Sequence, residues 1–292
     1  MKIAIVGATG EVGRMMISCL EESNVKIDTL ELFASKRSEG TTLYYNDDPI
    51  KVQTLTETSI AKHFDYVFFS AGAGVAKTYA PIAAEHSEIV IDNSSGFRQD
   101  PAIPLVVPGV NEDLLQGYRG IVANPNCSTI QIVLPLAVLD KLFGLNKLIV
   151  STYQSVSGSG HQGITTLMNQ RKGSSDKGAY PHVIDLNVIP QIGGFQDSGY
   201  SQEEEKMHFE SRKILRLPEL KVSVTTVRVP VVYGHSAAVY AQFDKHVDIT
   251  VAEKALSNAR SIVYYPNSYV TPLDLGNRSE ERRVGKECRS RW

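Results

Sequence analysis

The chain has 292 residues, enough for a large core and two domains, and its 42% hydrophobic and 21% charged content is that of an ordinary globular protein. A formal net charge of −2 gives no reason to expect nucleic acid or anionic lipid as a partner, and no run of the sequence reaches the roughly 20 apolar residues of a membrane span. Three widely spaced cysteines, Cys19, Cys127 and Cys288, offer neither a disulfide framework nor a metal-ligand spacing, which fits a reducing cytoplasm.

Lys2–Val6 predicts a strand rather than a signal peptide, followed by the turn Gly7-Ala8-Thr9-Gly10-Glu11-Val12-Gly13 and a helix through about Glu22. The glycines at 7, 10 and 13 form a variant of the dinucleotide fingerprint with its first spacing one residue longer. They serve a tight turn, close approach of backbone to a pyrophosphate, and helix–strand contact, with phosphate on the helix N-terminus. The second strand, near Thr29–Phe33, runs into Ala34-Ser35-Lys36-Arg37-Ser38, where an acid would favour NAD. Two cations and two hydroxyls suit a ribose 2′-phosphate instead and point to NADP.

Asp65–Ser70 and Ile89–Asp92 predict two further strands, separated by Ala71-Gly72-Ala73-Gly74 and a helix with Val75, Tyr79, Ile82 and Ala83 on one face. Continuous apolar strands alternating with helices predict an α/β, doubly wound parallel sheet covered on both faces. Ligands of such sheets lie beyond the carboxyl ends of the strands. Gly7–Gly13, Ser35–Ser38, Ala71–Gly74 and Asn93-Ser94-Ser95-Gly96-Phe97-Arg98 are therefore expected along one edge.

Ala123-Asn124-Pro125-Asn126-Cys127-Ser128-Thr129 places a cysteine where a loop becomes a helix, which continues to Leu142-Phe143 and stops at Gly144. A helix start offers unpaired N–H groups and the positive end of the macrodipole, and both stabilise a thiolate, the nucleophilic form. Beyond it, Leu148–Val156 and Lys221–Val232 are rich in Val and Thr and predict long strands of an antiparallel or mixed sheet with one face solvated or in an interface. Between them come a glycine-rich loop, Ser157-Gly158-Ser159-Gly160, and a helix from Ser201 to about Leu215, opened by the capping box Ser201-Gln202-Glu203-Glu204. Glu203 and Lys206 share one face of that helix. Residues 277–292 hold six of the 30 basic residues, the only tryptophan and almost nothing apolar, and read as a non-native segment outside the packed core.

Taken in order, Gly7–Gly13, Asn93–Arg98, Asn124-Pro125-Asn126-Cys127-Ser128, Gln154-Ser155-Val156-Ser157-Gly158, Glu203-Glu204-Glu205-Lys206 and Arg228-Val229-Pro230-Val231 with Gly234-His235-Ser236 resemble the aspartate-semialdehyde dehydrogenases over residues 1 to about 276. The resemblance implies a Rossmann-like NADP-binding domain at 1–126 and an α+β catalytic and dimerisation domain with a mixed sheet at 127–276. It implies reversible, NADP-dependent reductive dephosphorylation of 4-phospho-L-aspartate to L-aspartate 4-semialdehyde and phosphate. That step serves lysine, threonine, methionine and diaminopimelate biosynthesis, in a cytoplasmic homodimer or homotetramer.

The implied roles are Cys127 as the nucleophile that forms a thioester, His235 as acid/base, and Gln154 as the group that orients the substrate. Arg228 would fork onto the substrate's α-carboxylate, Glu203 would accept its ammonium, Lys206 and Arg98 would hold the phosphate, and Asn126 would join the substrate-binding set. The cofactor would contact Gly7, Thr9, Gly10, Glu11, Val12, Gly13, Ser35, Arg37, Ser38, Ala71, Gly72, Ser157 and Gly158. A related acyl-phosphate reductase of the N-acetyl-glutamyl type lacks a substrate ammonium for Glu203, and a non-catalytic dinucleotide-binding relative has no need of Cys127 with His235. Gly109 and Ala237 stand where the family usually carries glutamate. The family also continues for several tens of residues past Pro272-Leu273-Asp274, which implies that this chain lacks part of its cofactor site and core.

Overall fold

The computed structural model describes residues 1–274 and the strand Cys288–Arg289; the reading of 277–292 as a non-native segment otherwise falls outside the described residues. The chain divides into two compact units, residues 1–106 with 112–125, and residues 107–111 with 126 onward.

The first unit runs β1 (Lys2–Val6), α1 (Glu11–Glu21), β2 (Thr29–Ala34), β3 (Thr42–Tyr45), β4 (Asp48–Lys51), β5 (Gln53–Thr54), α2 (Glu57–Ile60), β6 (Tyr66–Phe69), α3 (Ala73–His86), β7 (Ile89–Asp92) and β8 (Gly120–Ala123). One sheet has the order β5-β2-β1-β6-β7-β8 with every pairing parallel, and β3 and β4 form a separate hairpin. From β1 the chain builds outward first on one side and then on the other, so the topological switch point lies at the carboxyl ends of β1 and β6.

Alternate residues of β1 face opposite ways. Ile3 and Ile5 pack with Ile17, Leu30 and Leu32, while Ala4 and Val6 pack with Val67, Phe69, Ala76 and Ala80. Burial on both faces is why these strands read as unbroken apolar runs. The buried stripe of α3 is Ala76, Ala80 and Ala83, whereas Val75, expected on it, is exposed. Alanine methyls let the helix axis approach the sheet, and a valine stripe would hold it further off.

In the glycine turn, Gly7 has φ +85°, and a Cβ there would stand 2.6 Å from the carbonyl oxygen of Ser70. A Cβ at Gly13 would stand 2.2 Å from the carbonyl oxygen of Gly7. Both positions require glycine, one for the turn and one for the contact of α1 with the loop.

The second unit comprises α4 (Cys127–Phe143), β9 (Leu145–Gln154), α5 (Gly160–Arg171), α6 (Gln202–Leu215), β10 (Lys221–Arg228), β11 (Ser236–Phe243), α7 (Ile249–Asn258) and β12 (Ile262–Val263), which pairs with β13 (Cys288–Arg289). Its sheet is mixed, β10-β9-β11, with β9 parallel to β10 and antiparallel to β11. Helix α4 is buried along most of its length and ends at Gly144, whose φ of +74° stops it.

The period of two assigns the faces of this sheet. Leu148, Val150, Thr152 and Gln154 are buried with Val224, Thr226 and Arg228, while Ile149, Tyr153 and Tyr240 are exposed. Strand β10 stops at Arg228, because Pro230 has no N–H to continue a ladder. His235, expected at the end of that strand, instead follows the turn at Gly234 (φ +91°) and immediately precedes β11.

Gly13→Ala should destabilise the protein by about 1–3 kcal/mol through overpacking. Gly74→Ala, in the open first turn of α3 with nothing within 4 Å of a new Cβ, should be neutral or stabilising. Urea unfolding of the two variants would separate them, and equal midpoints would contradict the close-approach reading.

Candidate active site

Asn126 is the N-cap of α4, and its Oδ1 accepts from the backbone N–H groups of Ser128 (2.9 Å) and Thr129 (3.2 Å). Cys127 is therefore the first residue of a capped, largely buried helix, half-buried itself, where aligned peptide dipoles favour negative charge. Its Sγ lies 3.2 Å from Nε2 of His235. The other ring nitrogen, Nδ1, accepts from the backbone N–H of Ser155 at 3.0 Å.

Behind the cysteine, α6 presents two carboxylates that belong to one network with Asn126. Asn126 Nδ2 donates to Glu203 Oε1 at 2.7 Å, and its backbone N–H donates to Oε2 of Glu210 at 2.6 Å. Asn126, expected among the substrate-binding residues, thus has its side-chain oxygen on the helix start and its nitrogen on Glu203. Lys206 Nζ, one turn along α6, reaches Glu203 Oε2 at 3.1 Å. Burial pushes the Glu203 carboxyl up, but the Lys206 ammonium, the hydrogen bonds from Asn126 and Lys206, and the Arg228 charge outweigh it and hold the group below its ordinary value.

Arg228 ends β10 opposite Gln154 of β9 and is 5% exposed. Its Nη1 donates to the carbonyl oxygen of Ser155 at 2.5 Å, and its Nε is buried with no hydrogen-bond acceptor among the described residues. A buried guanidinium edge of this kind calls for an external carboxylate. Gln154 is buried, and its Nε2 donates to Thr152 Oγ1 at 3.3 Å. Gly158 closes one side: a Cβ there would stand 2.9 Å from Arg228 Nη1 and 3.4 Å from His235 Nε2. Cys127, His235, Asn126, Glu203, Lys206, Arg228, Ser157 and Gly158 thus belong to one hydrogen-bonded and contacting neighbourhood of the second unit.

The first unit carries the remaining expected residues along the carboxyl edge of its sheet. Gly10 caps α1 with no side-chain hydrogen bond, and α1 begins at the switch point, where its N-terminus suits a pyrophosphate. Thr9 Oγ1 donates to Ser38 Oγ at 3.4 Å, joining the glycine turn to the short 3₁₀ turn Lys36–Ser38. Ser35 and Arg37 are exposed there, free of the acid that a ribose diol would need. Ala71 and Gly72 lead into α3, and a Cβ on Gly72 would meet nothing within 4 Å. These residues fit a dinucleotide.

On the same edge Asp92 is fully buried and accepts from the N–H and Oγ of Ser94, and burial pushes its carboxyl up despite those bonds and the Arg98 charge. Arg98 is buried and donates from Nη2 to the carbonyl oxygen of Asn93 at 3.0 Å. Of the two departures from the family pattern, Gly109 has φ +86°, a conformation in which glutamate would be strained, and Ala237 pairs with Thr152 in the sheet.

Two residues of the site escaped the sequence reading. Glu210 is 1% exposed on α6 and holds the N–H of Asn126, and its distance of seven residues from Glu203, two helical turns, was the available signal. Ser155 meets His235 Nδ1 with both its backbone N–H and its Oγ, a contact made across 80 residues that no local pattern reports.

A family model described as the semialdehyde dehydrogenase NAD binding domain matches residues 2–118, and one described as the semialdehyde dehydrogenase dimerisation domain matches residues 135–286. The chain is 41% identical over 291 residues to the aspartate-semialdehyde dehydrogenase of Aquifex aeolicus, covering 96% of this chain and 86% of that one. It is 44% identical over 265 residues to that of Bacillus subtilis, covering 87% and 76%. The crystal structure of aspartate semialdehyde dehydrogenase II complexed with ASA from Vibrio cholerae superposes with a TM-score of 0.89 at 38% identity, over 95% of this chain and 85% of that one.

Because the folded-state pKa of Glu203 is depressed, the stability that its ionised form contributes is present above the unfolded value of about 4.5 and is lost as pH falls through the folded value below it. The stability difference between the wild type and Glu203→Gln should be constant from neutral pH to about 5 and shrink only below 4.5. Unfolding free energies measured from pH 3 to 7 would test this, and a difference that grows on acidification would contradict it.

Proposed function

This chain belongs to the aspartate-semialdehyde dehydrogenase family, oxidoreductases that act on an aldehyde group, and we propose that it interconverts 4-phospho-L-aspartate with L-aspartate 4-semialdehyde and phosphate through a thioester on Cys127. The observation that carries this reading is the Sγ–Nε2 distance of 3.2 Å at a capped helix start, beside a buried arginine with an unpartnered Nε.

The Arg228 guanidinium binds the α-carboxylate, and Glu203, kept ionised by Lys206, accepts the ammonium. That pair favours a free amino acid over an N-acylated one. With the head group held, the Cys127 thiolate attacks the acyl carbon: the C–S bond forms, the C–O bond to phosphate breaks, and phosphate leaves with the bonding pair. Lys206 is the cation of this unit suited to the departing phosphate. His235 Nε2 faces the sulfur and manages the proton at the developing oxyanion. NADPH, when bound, would supply a hydride to the thioester carbon, and breaking of the C–S bond would free the aldehyde and return the Cys127 thiolate. Gly7, Thr9, Gly10, Glu11, Val12, Gly13, Ala71 and Gly72 would hold the pyrophosphate side and Ser35, Arg37 and Ser38 the 2′-phosphate.

We assign the exposed face of the mixed sheet, with Ile149, Tyr153 and Tyr240, to a subunit interface of a cytoplasmic homo-oligomer. Among the described residues, no helix is long and apolar enough to cross a membrane. The enzyme would serve the synthesis of lysine, threonine, methionine and diaminopimelate.

With aspartate semialdehyde and NADP, the protein should produce NADPH only when phosphate or arsenate is present, followed by absorbance of the reduced cofactor; turnover without either anion would sink the thioester route. Cys127→Ser should lower turnover by at least about 10³-fold while leaving NADP affinity, measured by calorimetry, unchanged.

A further inference from the structure

His235 meets the cysteine with Nε2, and its other ring nitrogen, Nδ1, faces Ser155. Nδ1 accepts from the backbone N–H of Ser155 at 3.0 Å, and an N–H donor at that position requires a lone pair on Nδ1. The neutral ring is therefore the Nε2–H tautomer, and Nε2 points its hydrogen at the sulfur of Cys127. In that state the ring gives a proton and cannot take one. To accept the proton of the Cys127 thiol, Nε2 must first be stripped and Nδ1 protonated.

A second group is placed to do this. The Oγ of Ser155 also lies 3.0 Å from Nδ1, and it lies 2.9 Å from the Oγ of Ser157. Ser155 is fully buried and Ser157 half-buried, so the two hydroxyls lead from the inner side of the imidazole toward solvent. On its other side the ring meets Cys127, and a Cβ on Gly158 would stand 2.9 Å from Arg228 Nη1 and 3.4 Å from His235 Nε2.

We propose that Ser155 is a positioning residue that sets the tautomer of His235 with its backbone N–H, and that its hydroxyl and Ser157 form the relay by which Nδ1 exchanges protons. The inference rests on the reading of Cys127 and His235 as the nucleophile and its acid/base. When Nε2 gives up its proton to the group it faces, Nδ1 takes one from Ser155 Oγ, Ser155 takes one from Ser157 Oγ, and Ser157 takes one from hydronium or a buffer acid in the solvent, so the ring stays neutral and one solvent proton is consumed. Run backwards, the same transfers restore Nε2–H, and no net proton is made. With Nδ1 protonated, the N–H of Ser155 faces another N–H, which returns the ring to its resting tautomer.

Imidazole ¹⁵N spectra of histidine-labelled protein, assigned by loss of the His235→Asn signal, should show an unprotonated Nδ1 and a protonated Nε2 at neutral pH. The opposite tautomer would overturn the proposal. Ser155→Ala and Ser157→Ala should each lower kcat by about tenfold, with the KM for aspartate semialdehyde unchanged and an altered solvent deuterium isotope effect. Ser155→Thr should restore the wild-type kcat. Alanine variants with wild-type kcat and isotope effect would sink the relay while Cys127→Ser remains inactive, whereas an active Cys127→Ser would remove the thioester reading beneath it.

Discussion

The second unit depends on how one asparagine is bonded. Asn126 holds the N–H groups of Ser128 and Thr129 with its oxygen, Glu203 with its side-chain nitrogen, and Glu210 with its backbone N–H. Each bond serves a different requirement: the first starts the helix that carries Cys127, the second aims a carboxylate, and the third anchors the turn to α6. A neutral side-chain amide suits the first two, because it donates and accepts at once, and the third needs only the backbone N–H. Aspartate would keep the cap and lose the donor to Glu203, adding a second charge against it.

The charges around this network are costly to bury, and folding alone does not account for them. Glu203 is 6% exposed and Arg228 5%, and a well-packed apolar pair of similar volume is often as stable as a buried ion pair. Lys206 is one-third exposed and lies on one side of Glu203, which leaves Arg228 with an Nε that nothing among the described residues satisfies. An incomplete set of partners in a buried site is what a charged ligand completes, and the partner lacking here is an acceptor for Arg228 Nε, which a ligand carboxylate would supply.

The residues differ in how far they announced these arrangements. The parallel sheet was legible because strands buried on both faces show unbroken apolar runs, and the glycine turn because Gly7 and Gly13 have no room for a Cβ. The helix start at Cys127 and the capping of α6 were legible from side chains that bond locally, and Glu204 indeed accepts the N–H of Ser201 at 2.7 Å. Long-range choices were not. Helix α5 begins with two glycines in its first four residues and carries two threonines, poor formers held helical by packing of Leu167 and Thr166 against the interior. Strand β11, Ser236–Phe243, has three alanines and becomes a strand by pairing with β9. Glu210 looks like an ordinary helix-surface acid until its partner 84 residues away is known.

Strand register then connects the sheet to the chemistry. Strands β9 and β10 run parallel with Gln154 opposite Arg228, and the pairing continues past both strand ends, where Val229 donates to Gln154, Val156 to Val231 and Ser157 to Val232. That extension carries the segment 155–158 alongside 229–232, and the turn at Gly234 brings His235 back onto Ser155. A slip of one residue in β10 would turn Arg228 to the exposed face and bring Val227 inward, because side chains alternate. The same slip would move the Ser155 carbonyl away from the guanidinium and displace the start of β11. The position of the imidazole over the sulfur is thus set by backbone hydrogen bonds that run through β9, the central strand of the sheet.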